Sequence, residues 1–252
     1  MYYIGIDIGS TAAKVAVFNE DELMKTFVMP TGWSSVETAK IIKDKLEELG
    51  ISEEESKVVA TGYGRVSVPY SDKTVTEITC HGKGAAYLSD NDCTVVDIGG
   101  QDTKVITVEN GMVTNFIMND KCSAGTGRFL EIMGNTLGVD IEKLCDLALQ
   151  GGGITISSMC TVFAESEVIS LIGRGEKKED IAFAIVDSVV SKVKSLCGKH
   201  STGTNYFLTG GLCESEYIVN KLSEKLNAPV KTDKLARYAG AIGAALMAKK
   251  IR

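Results

Sequence analysis

An aspartate ends an apolar strand at two places along this chain, Asp7 and Asp97, and glycines follow each of them at once. Glycine lets the backbone turn sharply and present bare N–H groups to an anion, and a carboxylate at the strand end can hold a hydrated Mg²⁺ beside phosphates. One such turn is a weak signal, because many hairpins use it. The two copies also continue alike over residues 11–14 and 102–104, so we predict two facing hairpins that clamp a nucleotide.

Length and composition indicate a protein that folds along its whole chain. The 252 residues are 44% apolar and 24% charged with only 3 prolines, and the duplicated turn favours two lobes. A net charge of −6 without any long basic run argues against a nucleic-acid partner.

The chain starts without a positively charged leader, and no apolar stretch could span a bilayer. We therefore expect a cytoplasmic protein with no membrane partner, whose 7 cysteines stay reduced.

Local sequence patterns predict where the main helices begin. Ser34 and Ser35 are predicted to cap an amphipathic helix that Gly50 ends. Glu77 lies near the start of a second helix, and polar loops containing Cys122 and Cys160 each lead into a further helix. The last helix, over about residues 237–249, is rich in Ala and Gly, so we expect it to pack closely against a neighbour.

The order of these motifs resembles that of the actin, hexokinase and heat-shock-chaperone ATPase superfamily over essentially the whole chain. The matching segments are residues 7–11, 77–88, 97–102, 209–211 and 239–247. The resemblance implies an α/β fold of two ribonuclease-H-like lobes, as in actin-like ATPases, with a nucleotide cleft between them. Lobe I would comprise residues 1–90 and 238–252, and lobe II residues 91–237.

Within that superfamily the chain more closely resembles the activators of 2-hydroxyacyl-CoA dehydratases, relatives of the ATPase subunits of benzoyl-CoA reductase (BadF/BadG/BcrA/BcrD-type ATPases). The segments that carry the resemblance are DIGSTAAK, TEITCHGKGA, VVDIGGQDTK, NDKCSAGTGRFLE, SSMCTVFAESEVISL and LTGG. It implies a homodimer that holds one [4Fe–4S] cluster at the subunit interface. Such a protein uses ATP to drive a single electron onto a 2-hydroxyacyl-CoA dehydratase or a related cluster-containing reductase, with ferredoxin or flavodoxin as the reductant.

A cubane cluster needs four thiolates, yet this chain contains no Cys-x-x-Cys pair. Two cysteines from each of two subunits would supply the four ligands by two-fold symmetry. Cys122 and Cys160 each stand in a loop directly before a helix, whose free N–H groups favour an anionic centre, so we expect these two as ligands. The remaining cysteines are interpreted as small buried residues: Cys80, Cys93, Cys145, Cys197 and Cys213.

The superfamily resemblance also implies roles at the nucleotide. Glu77 is the candidate that orients the attacking water, although a glutamate at a helix start can equally be there because it interacts favourably with the helix dipole. Asp7 and Asp97 are expected to reach Mg²⁺ mostly through water, with Gln101 and Lys14 near the terminal phosphate. Further contacts to ATP or ADP are expected from Gly9, Ser10, Thr11, Gly99, Gly100, Gly210, Gly211 and Gly240.

Four other polar side chains have less specific roles. Glu165 and Glu167 follow Cys160 and could line the cleft or face solvent, and both alternatives stay open. His81 and His200 have no convincing nucleophile or metal partner in the sequence, so we interpret them as structural.

Two other functions are compatible with the same motifs. A small-molecule kinase of the superfamily would phosphorylate a sugar or an acid and would be colourless. An actin-like assembly module would form filaments, again without iron. Neither alternative depends on Cys122 or Cys160, so an iron determination separates both of them from the electron donor.

Overall fold

The computed structural model describes residues 1–89, 92–157, 160–200 and 205–251. The expected lobe boundary at residues 90–91, the chain end at residue 252, and Ser158 and Met159 of the motif around Cys160 lie outside the described residues.

Runs of one to three strands alternate with runs of one to four helices along the chain. The strands are β1 (Tyr2–Ile8), β2 (Ala12–Asn19), β3 (Glu22–Pro30), β4 (Ser56–Thr61), β5 (Lys73–Thr74), β6 (Cys93–Ile98), β7 (Thr103–Glu109), β8 (Met112–Asn119), β9 (Tyr206–Gly210) and β10 (Val230–Lys231). The helices are α1 (Ser35–Glu48), α2 (Glu77–Ser89), α3 (Gly127–Leu137), α4 (Ile141–Ala148), α5 (Thr161–Gly173), α6 (Lys178–His200), α7 (Glu216–Leu226) and α8 (Ala239–Ala248).

The first sheet has the order β3-β2-β1-β4-β5. β2 runs antiparallel to β1 and places Lys14 opposite Asp7, whereas β4 runs parallel to β1 and places Thr61 beside Asp7. The residues Ile4, Ile6 and Ile8 of β1 are buried in a hydrophobic cluster. A central strand that is buried on both faces therefore holds Asp7 at its penultimate position.

The second sheet has the order β10-β9-β6-β7-β8. Its strand β6 is buried at every position, as expected for a strand covered on both faces. Asp97 is the penultimate residue of β6, just as Asp7 is of β1. The two aspartates predicted from the repeated motif thus occupy the same place in two equivalent strand–turn–strand units.

The chain divides into two compact units, each containing strands and helices. One unit comprises Met1–Val95, Ile106–Phe116 and Asp233–Arg252, and the other comprises Val96–Val105 and Ile117–Thr232. The predicted α/β class is confirmed for both units.

The helices carry the local signals that the sequence predicted. Ser34 caps α1 by accepting a hydrogen bond from the backbone N–H of Glu37. The helix predicted from about residue 237 begins at Ala239, because residues 236–238 form a short 3-10 turn. In the described ranges, no helix has both the length and the apolar character required to cross a bilayer.

Small residues allow α8 to pack against its neighbours at backbone distance. A Cβ added to Gly243 would overlap the carbonyl oxygen of Cys80, and one added to Gly84 would overlap that of Ala239. On the sheet side, a Cβ on Gly5 would overlap the carbonyl oxygen of Ala241 in α8. The close packing predicted for the final helix is therefore confirmed.

Candidate functional site

The first glycine turn connects β1 to β2 and is fixed by hydrogen bonds at its base. The N–H of Gly9 donates to the carbonyl of Ala12 at 3.1 Å, and the carbonyl of Gly9 accepts from Oγ1 of Thr31 at 2.7 Å. The N–H of Thr31 in turn donates to the carbonyl of Thr11 at 3.0 Å. Ser10 and Thr11 lie at the tip of this turn, where they are half-buried and exposed, respectively.

Asp7 lies below the first turn in a small space that glycines keep open. Its Oδ2 is 3.8 Å from Nζ of Lys14, and its Oδ1 is buried without a hydrogen-bond partner among the described residues. A Cβ on Gly62 would lie 2.5 Å from Oδ1 of Asp7, and a Cβ on Gly240 would lie 2.6 Å from its Oδ2. The same Cβ on Gly240 would lie 2.8 Å from Cε1 of His81, so this histidine borders the same space.

The second glycine turn connects β6 to β7 and repeats the first one. The N–H of Gly99 donates to the carbonyl of Asp102 at 2.9 Å, as Gly9 does in the first turn. The carbonyls of Gly99 and Gly100 accept hydrogen bonds from the N–H groups of Gly127 and Arg128 at 2.9 and 2.8 Å. The beginning of α3 therefore holds this turn directly.

Asp97 has more partners than its counterpart Asp7. Its Oδ1 accepts from Oγ1 of Thr209 at 2.9 Å, and its Oδ2 accepts from Nζ of Lys104 at 3.3 Å. Lys104 is buried and also donates to Oδ1 of Asp102 at 2.7 Å. Gly210, with φ of +88°, packs so closely against Asp97 that its Cβ would lie 3.0 Å from Oδ1. This carboxylate is therefore held rigidly by charge-assisted hydrogen bonds.

Three further predicted residues take the following places. Glu77 is the first residue of α2 and is half-buried, and its carbonyl oxygen lies 3.1 Å from Nδ1 of His81. Gln101 is exposed in the second turn, and Gly211 is exposed directly after β9. His81 is buried, and its structural role stays a prediction.

Two adjoining cavities open beside α3 and α6, and no sequence motif indicates either of them. One has a volume of about 300 Å³, and the other has about 200 Å³. Gly125, Lys192 and Ser195 line both of them, while Ser188 and Ser191 add hydroxyl groups to the larger one. Ligand pockets begin at about this size, and hydroxyl and ammonium groups suit a polar ligand.

Hydrogen bonds connect the loops that carry Cys122 and Cys160. Nδ2 of Asn119 donates to the carbonyls of Cys122 and Ala124 at 2.9 and 3.0 Å, which folds the first loop. The hydroxyl groups of Ser123 and Thr161, each one residue after a predicted ligand, are hydrogen-bonded at 2.7 Å. The structure thus joins the two cysteine segments within one unit.

Exposure separates these two cysteines from the other five. Cys160 is exposed and Cys122 is half-buried. The other five are buried, as the sequence predicted: Cys80, Cys93, Cys145, Cys197 and Cys213. Burial raises the pKa of the thiols of Cys80 and Cys197 to about 12, so both remain protonated at neutral pH. A cysteine side chain has to lose its proton to bind iron, and the two accessible cysteines therefore fit an iron–sulfur cluster better than the buried ones.

The two glutamates after Cys160 have local hydrogen-bond partners. Glu165 accepts from Oγ1 of Thr136 at 3.3 Å, which links α5 to α3. Glu167 accepts from the N–H of Ser157 at 3.1 Å and so fixes the segment before Cys160. His200, at the end of α6, has a pKa lowered by desolvation.

Sequence reasoning missed several residues that build these sites. In the sequence Lys104 stands out only as part of the repeat, although its position relative to Asp97 matches that of Lys14 relative to Asp7. Thr209 belongs to the matching segment 209–211, but its pairing with Asp97 has no signal in the sequence, because the two residues are 112 positions apart. Ser123 and Thr161 have no such signal either, since single hydroxyl residues in loops are common.

Comparisons with known proteins place the chain in a family. The model of the BadF/BadG/BcrA/BcrD ATPase family matches residues 4–248. The (R)-2-hydroxyglutaryl-CoA dehydratase activating ATPase of Acidaminococcus fermentans is 43% identical over 254 residues, which cover 99% of this chain and 98% of the relative.

Two solved structures are similar over almost their whole length. Component A of the (R)-2-hydroxyglutaryl-CoA dehydratase of Acidaminococcus fermentans matches with a TM-score of 0.93 at 43% identity, covering 99% of this chain and 98% of that chain. The activator of the 2-hydroxyisocaproyl-CoA dehydratase from Clostridium difficile, solved with bound ADPNP, matches with a TM-score of 0.91 at 36% identity, covering 100% and 98%. The actin-like ATPase fold expected from the motifs is thereby confirmed. This chain belongs to the BadF/BadG/BcrA/BcrD ATPase family.

Proposed function

We propose that this protein is an ATP-dependent one-electron donor that activates a 2-hydroxyacyl-CoA dehydratase or a related CoA-ester reductase through a [4Fe–4S] cluster shared by a homodimer. Relatives at 43% and 38% identity are named as the activators of two such dehydratases. The observation that carries the proposal is the pair of accessible cysteines, Cys122 and Cys160, in two segments that the Ser123–Thr161 hydrogen bond joins.

At the first turn, Asp7 is the proposed partner of a hydrated Mg²⁺. The buried Oδ1 without a hydrogen-bond partner can accept from a metal-bound water, and the missing side chains of Gly62 and Gly240 leave room for one. Lys14, which is partly exposed, can reach a phosphate from the neighbouring strand β2. The N–H groups of Ser10 and Thr11 are the proposed phosphate donors of this turn.

At the second turn, Asp97 is the other proposed Mg²⁺ partner, and Gly99, Gly100 and Gln101 are the proposed contacts to phosphate. The hydrogen bonds from the beginning of α3 hold the Gly99 and Gly100 carbonyls, which leaves the outer face of the turn to the ligand. Gly210 and Gly211 are the proposed contacts to the nucleoside. Glu77 remains the proposed residue that orients the attacking water.

A shared cluster follows from the ligand count and from the surface of α5. Two cysteines in each chain make four only when two chains meet. On α5, directly after Cys160, a set of large apolar residues is exposed to solvent: Val162, Phe163, Ile169 and Ile172. An exposed apolar surface beside the proposed ligands fits an interface with a second copy of the chain.

When bound, the cluster would supply a low-potential one-electron carrier. α5 begins directly after Cys160, and the free N–H groups of its first turn would favour the more negative, reduced state of the cluster. The same expectation for Cys122 is wrong, because α3 begins only at Gly127 and its first N–H groups donate to the carbonyls of Gly99 and Gly100. A change of about 200 mV in a one-electron potential corresponds to about 4.6 kcal/mol, which nucleotide binding can deliver. Ferredoxin or flavodoxin is the proposed reductant, and ATP hydrolysis resets the protein for the next electron.

Anaerobic purification with an iron determination and an absorption spectrum tests this function. We expect a brown homodimer with about four iron atoms per dimer, and loss of iron in Cys122→Ser and Cys160→Ser. The buried Cys145→Ala is the matched control and should keep its iron. A colourless, iron-free wild type that phosphorylates a sugar or an acid would instead identify a kinase.

A further inference from the structure

The hydrogen bond between Ser123 and Thr161 connects segments that are 38 residues apart in the chain. Ser123 directly follows Cys122, and Thr161 directly follows Cys160 as the first residue of α5. The pair is partly buried, with an O···O distance of 2.7 Å. Each hydroxyl therefore lies within one residue of a proposed cluster ligand.

The Cys122 segment is also connected to the second glycine turn. The carbonyl of Ser123 accepts from Oγ1 of Thr126 at 2.6 Å, and Thr126 immediately precedes α3. The next two residues of α3 donate to the carbonyls of Gly99 and Gly100. A displacement of the turn is thus passed to Ser123 through short hydrogen bonds and the rigid beginning of one helix.

The beginning of α5 has little other support. Cys160 takes the N-cap position without a side-chain hydrogen bond to the helix, and only Ala164 and Val168 of α5 are buried. The hydrogen bond between Thr136 of α3 and Glu165 of α5 lies further along both helices. Among the described residues, the Ser123–Thr161 pair is therefore the hydrogen bond that ties the beginning of α5 to the Cys122 segment.

We infer that Ser123 and Thr161 are positioning residues that transmit the state of the second glycine turn from Cys122 to Cys160, so that both proposed ligands respond to nucleotide together. This inference rests on the proposed function in treating the two cysteines as ligands of one cluster. The hydrogen bond itself also exists in the iron-free protein, where the connection can be measured at each thiol separately.

The test measures alkylation of each thiol by iodoacetamide in the iron-free, full-length protein, with peptide mass spectrometry and with or without Mg²⁺ and ADPNP. In the wild type we expect nucleotide to change the alkylation rates of both Cys122 and Cys160. Thr161→Val keeps the side-chain shape but removes the hydroxyl. We expect it to retain the response of Cys122 and to reduce that of Cys160 about fivefold, the factor that corresponds to one lost hydrogen bond.

Further variants separate the connection from general helix packing. Thr161→Ser keeps the hydroxyl and should restore the response of Cys160, whereas Ser123→Ala should reproduce the loss from the other side. Thr136→Val is the matched control, because it removes a hydroxyl contact between α3 and α5 themselves, and it should leave the response intact.

Three results would overturn the inference: no nucleotide response at either thiol in the wild type, an unchanged response of Cys160 in Thr161→Val, or an equal loss in Thr136→Val. The outcome is distinguishable from that of the proposed function. If the wild type binds no iron but shows the expected alkylation pattern, the electron-donor function is wrong and the connection between the two thiols stands.

Discussion

Lys104 and Lys14 occupy equivalent positions in the two copies of the turn, and their replacement by methionine should have very different effects. Lys104 has a side chain that is 1% exposed, and it contacts two carboxylates, Asp97 at 3.3 Å and Asp102 at 2.7 Å. Lys14 is 18% exposed and lies 3.8 Å from the single carboxylate of Asp7. The repeat therefore supplies a matched pair of lysines in different environments.

The expected losses follow from these environments. Lys104→Met leaves two buried carboxylates without their cation, and removing one partner of a buried ion pair costs about 3–5 kcal/mol of unfolding free energy. Lys14→Met breaks one long, partly hydrated contact, which costs about 1 kcal/mol or less. Methionine matches the length of the lysine stem, so the difference between the two variants reports charge more than packing.

Urea unfolding of the iron-free protein, followed by circular dichroism at neutral pH, measures both losses. A third variant, Lys104→Met combined with Asp102→Asn, removes one of the two buried carboxylates that lack a cation. It should regain about 2 kcal/mol of unfolding free energy relative to Lys104→Met alone. Equal losses for Lys104→Met and Lys14→Met, or no recovery in the double variant, would refute the buried three-charge arrangement.

Two further predictions concern packing and pH. Gly243→Ala should lower the unfolding free energy by about 1–3 kcal/mol or more, because its Cβ would overlap the carbonyl oxygen of Cys80. Gly198→Ala has open space around the new Cβ and should raise the unfolding free energy by about 1 kcal/mol. A similar effect of both variants in urea unfolding would contradict the close contact of α8. Burial raises the pKa of the thiols of Cys80 and Cys197 to about 12, above their value of about 8.5 in the unfolded chain, so their contribution is complete below about pH 8.5 and is lost as the pH rises toward 12. Cys197→Ala should therefore lose stability less steeply than the wild type between about pH 9 and pH 11, by up to about 1.4 kcal/mol per pH unit, and an identical slope in equilibrium unfolding would show that this thiol is not desolvated.

Several features of the fold and of the candidate site are local and could be predicted from the sequence. The two turns follow from an aspartate and glycines at the end of an apolar strand, and the helix cap at Ser34 follows from the residue type that accepts a hydrogen bond there. The close packing of α8 follows from its Ala and Gly content. The choice of Cys122 and Cys160 over the other cysteines depended on their place before helices, and the structure adds that they are the accessible ones.

The tertiary structure alone decided which distant residues meet. It pairs Asp97 with Thr209 and Ser123 with Thr161, contacts that have no periodicity in the sequence and that exist only because separate elements pack together. It also makes the two turns unequal, since burial gives Lys104 two carboxylate partners and leaves Lys14 with one. The sequence by itself determined the duplicated turn and the residue types at it, because those depend on neighbours in the chain. The partners and the burial of each charge depend on packing, and only the folded chain determines them.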